Sequence, residues 1–273
     1  MYQSGTHPDL GERIESAYQC REVAAHRKHV LDILSPDVGE TVLDIGCGPG
    51  FLTSDVAQSV GAFGQVTGVD ISEQMIDFAN ANNAATGLDF RVGDALSLPF
   101  NRESFDVAVS TQVVEYVEDA DQFCAEVARV LRPGGRAVIS VTDWRGVNWH
   151  AKNEKRMKAV MNAFSLHCAQ QDLPKTLAPR LRKAGLEVDR VVCFPIVSLG
   201  ERDGSYCQVL AAFVLQFILS AGLVRPELME AWLDDLRQLK KARECFFSVD
   251  RFDFLVRKGS STDGWSPKGR ILH

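Results

Sequence analysis

The chain has 273 residues, 45% of them apolar and 24% charged, with a formal net charge of −6. That fits one large globular domain, or a domain with a substantial insertion. With no basic run beyond short pieces such as Lys240-Lys241, the acidic balance argues against a nucleic-acid substrate, whose binding leans on phosphate neutralisation.

Taken in chain order, residues 10–34 predict an amphipathic lead-in helix marked by Ile14, Tyr18, Val30, Ile33 and Leu34, an N-terminal unit of residues 1–34. An apolar strand over 41–45 contains Asp44 and runs into Gly46-Cys47-Gly48-Pro49-Gly50; the helix after it carries Leu52, Val56 and Val60. A second strand over 65–69 ends on Asp70, and Ser72 fits the N-cap of a helix through Met75, Ile76 and Ala79. A short third strand over 89–92 delivers Asp94, and a fourth covers 105–110. The helix over 121–131 is expected to stop at Pro133-Gly134-Gly135, glycine supplying a left-handed cap, before a fifth strand over 136–141.

Beyond the fifth strand, residues 152–170 predict an extra helix with Met157, Val160, Met161, Phe164 and Cys168 on one face. A helix over 175–184 ends at Gly185, and 187–197 reads as strand six. Helices over 206–221 and 226–243 follow, the second with Pro226 in its first turn and Met229, Trp232, Leu233, Leu236 and Leu239 inward. Residues 246–257 alternate as strand seven. The stretch 209–224 is nearly all apolar, but it is shorter than the roughly 18–20 residues a membrane span needs. Gln216 and Ser220, with Gln208, recur along one face at four-residue steps, so it reads as a buried helix with a polar stripe. Strands alternating with helices predict a doubly wound parallel sheet. The extra helices, about 144–172 and 204–244, predict a lid on a core domain of residues 35–258, and 259–273 is expected to be a disordered tail.

The glycine turn carries the chemistry. A buried strand ends where backbone without Cβ atoms must lie close to a ligand. A dinucleotide site would read G-x-G-x-x-G, whereas here the third glycine, Gly50, comes one residue early. Asp44, two residues before the first glycine, would repel a doubly anionic pyrophosphate. The turn, Asp70 and Asp94 at strand ends, and Leu131-Arg132-Pro133-Gly134-Gly135 before strand five resemble the class I S-adenosylmethionine (SAM)-dependent methyltransferases. The closest likeness is to the ubiquinone/menaquinone-type (methyltransferase domain 11-like) small-molecule enzymes, over about residues 35–145.

That resemblance implies an α/β, Rossmann-like, seven-stranded sheet with six parallel strands and the last antiparallel, and SAM as cofactor. It places Gly46, Cys47, Gly48 and Gly50 against the methionine portion and Asp44 at its amino-acid end. Asp70 is expected on both ribose hydroxyls, Ile71 and Met75 on the adenine face, and Gly93, Asp94 and Ala95 at the adenine amino group. Thr111 and Gln112 would pass beneath the methionine and lead toward substrate. Where many relatives have Glu-His, this chain has Glu115-Tyr116. Substrate-side candidates are Tyr18, Tyr116, Trp144, Trp149 and His150, with His29 a weaker one; His150 could take a proton from an O–H or N–H nucleophile.

The implied reaction is methyl transfer to a small apolar or aromatic molecule at oxygen, nitrogen or carbon, in line and driven mainly by proximity. Two alternatives stand beside it: a non-transfer enzyme of cyclase type, and a non-catalytic SAM-binding regulatory or assembly protein. The [ND]PPY motif of amino-directed nucleic-acid enzymes is absent after strand four, where the chain reads Ser110-Thr111-Gln112-Val113. Seven cysteines without CxxC pairing read as reduced thiols of a cytoplasmic protein with no metal site, although Cys168, Cys193 and Cys207 could converge as in arsenite methyltransferases. Met1-Tyr2-Gln3-Ser4-Gly5 lacks the character of a signal peptide. No membrane span and no nucleic-acid partner are expected, and a homodimer is possible.

Overall fold

The computed structural model describes residues 17–199 and 204–260. Helix α1 (Arg21–Leu34) leads to β1 (Thr41–Ile45), α2 (Phe51–Val60), β2 (Gln65–Asp70), α3 (Glu73–Asn82), β3 (Leu88–Val92), β4 (Phe105–Thr111), α4 (Ala120–Val130) and β5 (Leu131–Thr142). Then come β6 (Asn148–Trp149), α5 (Glu154–Phe164), α6 (Leu173–Lys183), β7 (Leu186–Ser198), α7 (Tyr206–Ser220), α8 (Pro226–Ala242) and β8 (Phe247–Lys258).

The strands form one sheet in the order β3-β2-β1-β4-β5-β8-β6, with β7 also paired to β8. Strands β1 to β5 are mutually parallel, and β8 is antiparallel to β5, β6 and β7. Strand order reverses between β1 and β4, the switch point at which open α/β sheets hold ligands beyond their strand ends. Strands β1 and β4 read as continuous apolar runs because helices cover both faces. On one face α1 and α2 set Val30, Leu34, Val56 and Val60 against Val42, Val66, Val107 and Val109. On the other, α4 and α6 set Phe123, Val127, Leu177 and Leu181 against Leu43, Ile139 and Phe254. Each such side chain, fully buried, contributes ~1.5–3 kcal/mol.

A separate apolar cluster joins α5, α7 and α8: Met157, Val160 and Phe164 meet Leu210, Val214, Ile218, Met229 and Trp232, together with Trp149 and Phe247. The apolar stretch is helical as far as Ser220, but only one face is buried, through Leu210, Val214 and Ile218, while Ala212, Gln216 and Leu219 are exposed. None of the described helices is long and apolar enough to cross a membrane.

Three other expectations need correction. The lead-in helix is not continuous: residues 17–19 are helical, Cys20 is extended (φ −59°, ψ 144°), and α1 restarts at Arg21. The break buries Cys20 in the helical cluster, a tertiary demand that periodicity does not register; Ile14 lies outside the described residues. Pro133-Gly134-Gly135 does not cap α4, whose C-cap is Leu131 in extended conformation. These residues form a bulge inside β5, since Leu131 pairs with Phe105 while Arg136 already pairs with Val107; Gly134 takes the positive φ of 79° there. The sheet also has an eighth strand, β6, whose Asn148 and Trp149 pair with Ser248 and Phe247 beyond the end of β5. Two residues are too few to show alternation. Residues 261–273, most of the expected tail, lie outside the described residues.

Candidate functional site

The glycine turn begins where β1 ends. Gly46, Gly48 and Gly50 all have positive φ (74°, 51° and 83°), a region that costs an L side chain free energy. A Cβ on Gly46 would be driven into Val113, and one on Gly50 would meet the Phe90 ring at 2.6 Å. The Gly46 and Cys47 N–H groups donate to Val69 O at 2.7 and 3.0 Å, tying the turn to the end of β2.

Asp70 holds the turn from the other side. Its Oδ2 accepts from the Gly48 N–H and its Oδ1 from the Ser72 N–H, each at 2.9 Å. Each carboxylate oxygen has two lone pairs, so one on each stays available to a ligand. Gly93 N donates to Asp70 O at 3.0 Å, bringing the Gly93-Asp94-Ala95 segment alongside. Asp94 is exposed and accepts from Leu96 N at 2.8 Å. Ile71 is 74% exposed and Met75 half-buried; both flank Asp70 at the strand end, and Met75 N donates to Ser72 Oγ as the N-cap of α3.

Asp44 is buried and accepts from Thr53 Oγ1 at 2.7 Å. Burial pushes its carboxyl up to about 7, the Thr53 hydrogen bond pulls it down, and nearby Asp70 adds to the rise. Cys47 is buried against Gly68, and its thiol is raised far above the ordinary range, first by desolvation and then by Asp44 and Asp70. It is a packing residue, not a nucleophile.

Tyr18 crosses over the turn. Its hydroxyl stands 3.1 Å from where a Gly48 Cβ would be; the residue is 40% exposed overall, and desolvation of the hydroxyl, then Asp70, raise its pKa. Arg27 fastens it: Nη1 donates to Tyr18 O at 3.1 Å, and the guanidinium lies 5.4 Å from the Phe51 ring centroid, itself 6.2 Å from the Tyr18 ring.

Next to the turn, Thr111 ends β4 and Gln112 takes φ 60°, its side chain donating to Thr142 Oγ1 at the end of β5. Tyr116 and Trp144 lie 6.0 and 4.8 Å from the His167 ring, which stacks on Phe164 at 3.8 Å. An aromatic wall thus forms from the loop after β4, the loop after β5, and α5. Trp149 and His150 lie elsewhere. Trp149 packs on Trp232 and Phe247, and both residues line a 290 Å³ cavity against α7 and α8, with Ala211, Leu215, Leu233 and Leu236. His150 is exposed and is not on the aromatic wall.

Sequence reasoning missed a buried polar network joining α1, β5 and β8. Arg251 Nη1 donates to His26 Nδ1 at 2.9 Å, and His26 Nε2 is 3.1 Å from Asp253 Oδ1 and 3.3 Å from Ser140 Oγ. A guanidinium only donates, so Nδ1 accepts and Nε2 carries the proton toward Asp253. His26 is therefore neutral, and burial lowers its pKa to about 4 against the pull of Asp253. Burial alone would raise Asp253, but its hydrogen bonds from His26 and Ser140 hold it below the usual range. His29 stands 3.5 Å from Asp253 Oδ2. The available signal was weak: two histidines on an amphipathic helix, and charged residues at alternate positions of an otherwise apolar strand.

Glu115, also buried, accepts from the Thr142 N–H at 2.9 Å through Oε1, and burial pushes it up to about 7. Among the described residues no group of three or more His, Cys, Asp or Glu could hold a metal ion. Cys168 sits 3.1 Å from His167 Nε2, Cys207 sits 3.5 Å from Ser205 Oγ, and Cys193 is exposed on β7; they do not converge.

The turn fits a cationic nucleoside. Asp70 lies close enough to add to the rise of the buried Asp44 carboxyl, and Asp70 itself keeps unused lone pairs. A diphosphate would meet only repulsion there.

Residues 43–139 match the methyltransferase domain family model. The chain is 31% identical over 236 residues to an uncharacterized 37.1 kDa protein in a Streptomyces fradiae transposon, covering 84% of this chain and 67% of that one. It is 40% identical over 165 residues to the demethylmenaquinone methyltransferase of Lactococcus lactis, covering 54% of this chain and 66% of the relative. Of some other curated relatives it spans about half the length or less. Among solved structures it is similar to the [4+2]-cyclase SpnF, with a TM-score of 0.56 and 21% identity over 88% of this chain and 82% of that one; at that identity the likeness concerns the fold. The chain belongs to the class I SAM-dependent methyltransferases. SAM is the cofactor of that class.

Proposed function

We propose that the protein methylates a small, apolar or aromatic molecule at oxygen, nitrogen or carbon. The observation carrying this reading is the aromatic wall of Tyr116, Trp144 and His167 beside an acidic glycine turn roofed by Tyr18. Bound SAM supplies a methyl group on a sulfonium that is already a good leaving group. The glycine backbone receives the methionine end, Asp44 faces its ammonium, and Asp70 takes the ribose hydroxyls while still bracing Gly48. Ile71 and Met75 lie against the adenine, and Asp94 and the Ala95 N–H reach its edge. Gln112, fixed on Thr142, sets the boundary between donor and acceptor. In this arrangement the residues align and exclude water, and alignment of this kind is worth up to about 7–11 kcal/mol in the best model systems.

The cluster of α5, α7 and α8 acts as a lid that keeps the acceptor dry, with Trp149 in its packing rather than on the acceptor. His150 has no role as a base in this reading. Incubation with SAM and a panel of phenols, hydroxy acids and amines, followed by mass detection of S-adenosylhomocysteine, tests the proposal. Product turnover without S-adenosylhomocysteine would instead indicate non-transfer chemistry on the same fold.

A further inference from the structure

Two buried side chains near the aromatic wall, one basic and one acidic, each keep a polar atom without a hydrogen-bond partner: Arg251 Nε and Glu115 Oε2. Arg251 is 4% exposed and Glu115 1%. Leaving such groups unpaired is costly, more so when they are charged.

Neither is misplaced by chance. Arg251 is anchored by a hydrogen bond to His26 on one side, and on the other its guanidinium lies 5.7 Å from the ring centroid of Tyr206 on the lid helix α7. Glu115 is anchored through Oε1 on the Thr142 N–H. Thr142 and Arg251 are register partners across β5 and β8, so both charges are fixed to the same end of the sheet. Tyr206 feels both of them. No hydrogen bond or ion pair joins them, which leaves an N–H without an acceptor and a carboxyl oxygen without a partner at the same end of the sheet. Gln112, the predicted boundary of the donor site, bonds the same Thr142.

We propose that these two groups recognise the acceptor molecule by a carboxylate bound at Arg251 and a neighbouring O–H or N–H donated to Glu115, so that the substrate is a small hydroxy- or amino-substituted aromatic acid. The inference rests on the methyltransferase reading above and narrows its substrate class. Arg251 suits this task because its planar fork meets a carboxylate with little reorganisation, and the neutral His26 behind it fixes the fork without cancelling its charge. The aromatic ring of the ligand then lies toward Tyr116 and Trp144.

The test uses the full chain and 3-hydroxybenzoate against its methyl ester, titrated by calorimetry with and without S-adenosylhomocysteine. Wild type should bind the acid more than about tenfold tighter than the ester, since a charge-assisted hydrogen bond is worth ~1.5–3 kcal/mol. Arg251→Met should abolish the preference, Arg251→Lys should keep part of it, and Glu115→Gln should retain the acid preference while weakening 3-hydroxybenzoate relative to benzoate less than Glu115→Leu does. Equal binding of acid and ester by wild type, or binding of neither, overturns the proposal without needing any variant to fold. A wild-type protein that binds no SAM would instead overturn the methyltransferase reading, and SAM titrations in the same samples separate the two failures.

Discussion

The Asp70 carboxylate accepts a hydrogen bond from the Gly48 backbone N–H, 2.9 Å away, so one acid both shapes the glycine turn and stands at the end of β2 where a ribose would lie. Asp70→Ala should therefore weaken SAM binding by more than the tenfold that ~1.4 kcal/mol represents. Asp70→Asn, which keeps acceptor oxygen but loses charge, should weaken it less. Unchanged calorimetric titrations for both variants would remove Asp70 from the site.

Gly46→Ala combines a side chain at φ 74° with a Cβ placed inside Val113. The expected cost is about 1–3 kcal/mol in thermal stability, with loss of SAM binding. Adding Val113→Ala should recover the packing part alone, because the strained φ remains. A double variant with wild-type stability would show that the turn tolerates a Cβ.

Asp44, pushed up to about 7 by burial, carries a proton in part of the population near neutrality. Because its folded pKa is raised, its stabilising effect on the apo protein is complete below its ordinary pKa and is lost as pH rises through about 7. A cationic ammonium beside it favours the carboxylate, so SAM binding should release protons and tighten as pH rises through that range. Calorimetry in buffers of different ionisation enthalpy reads the release directly. Asp44→Asn should weaken binding and remove the pH dependence; proton uptake on binding would contradict the assignment.

His26 works the other way. Its folded pKa, lowered to about 4 by burial, gives stability that is present above its ordinary value near 6.5 and lost as pH falls toward 4. His26→Gln offers an acceptor to Arg251 and a donor to Asp253 without titrating. The variant should lose less stability than wild type between pH 6.5 and 4, by about 2–3 kcal/mol at most; His167, lowered to about 4 as well, destabilises both proteins alike over that range. Parallel acid-unfolding curves for the two proteins would show that His26 does not titrate in the folded state.

The linear code determined the parts whose physics is local. Val42-Leu43-Asp44-Ile45 could only be a strand buried on both faces, positive φ at Gly46, Gly48 and Gly50 follows from glycine in a tight turn, and Ser72 and Pro226 start helices as their side chains require. The fold class and the glycine turn with its two acids were therefore legible from the sequence. Tertiary packing decided what depends on residues far apart in the chain. His26 meets Asp253 across 227 positions, and Arg251 becomes a buried cation only because α1 and β8 are brought together. Trp149 and His150, adjacent to a plausible acceptor site in sequence, are drawn by β6 and the α7–α8 cavity into the lid instead. A side chain's periodicity reports which way it faces, whereas its partner is chosen by packing, and for a buried charge the partner decides what chemistry it can do.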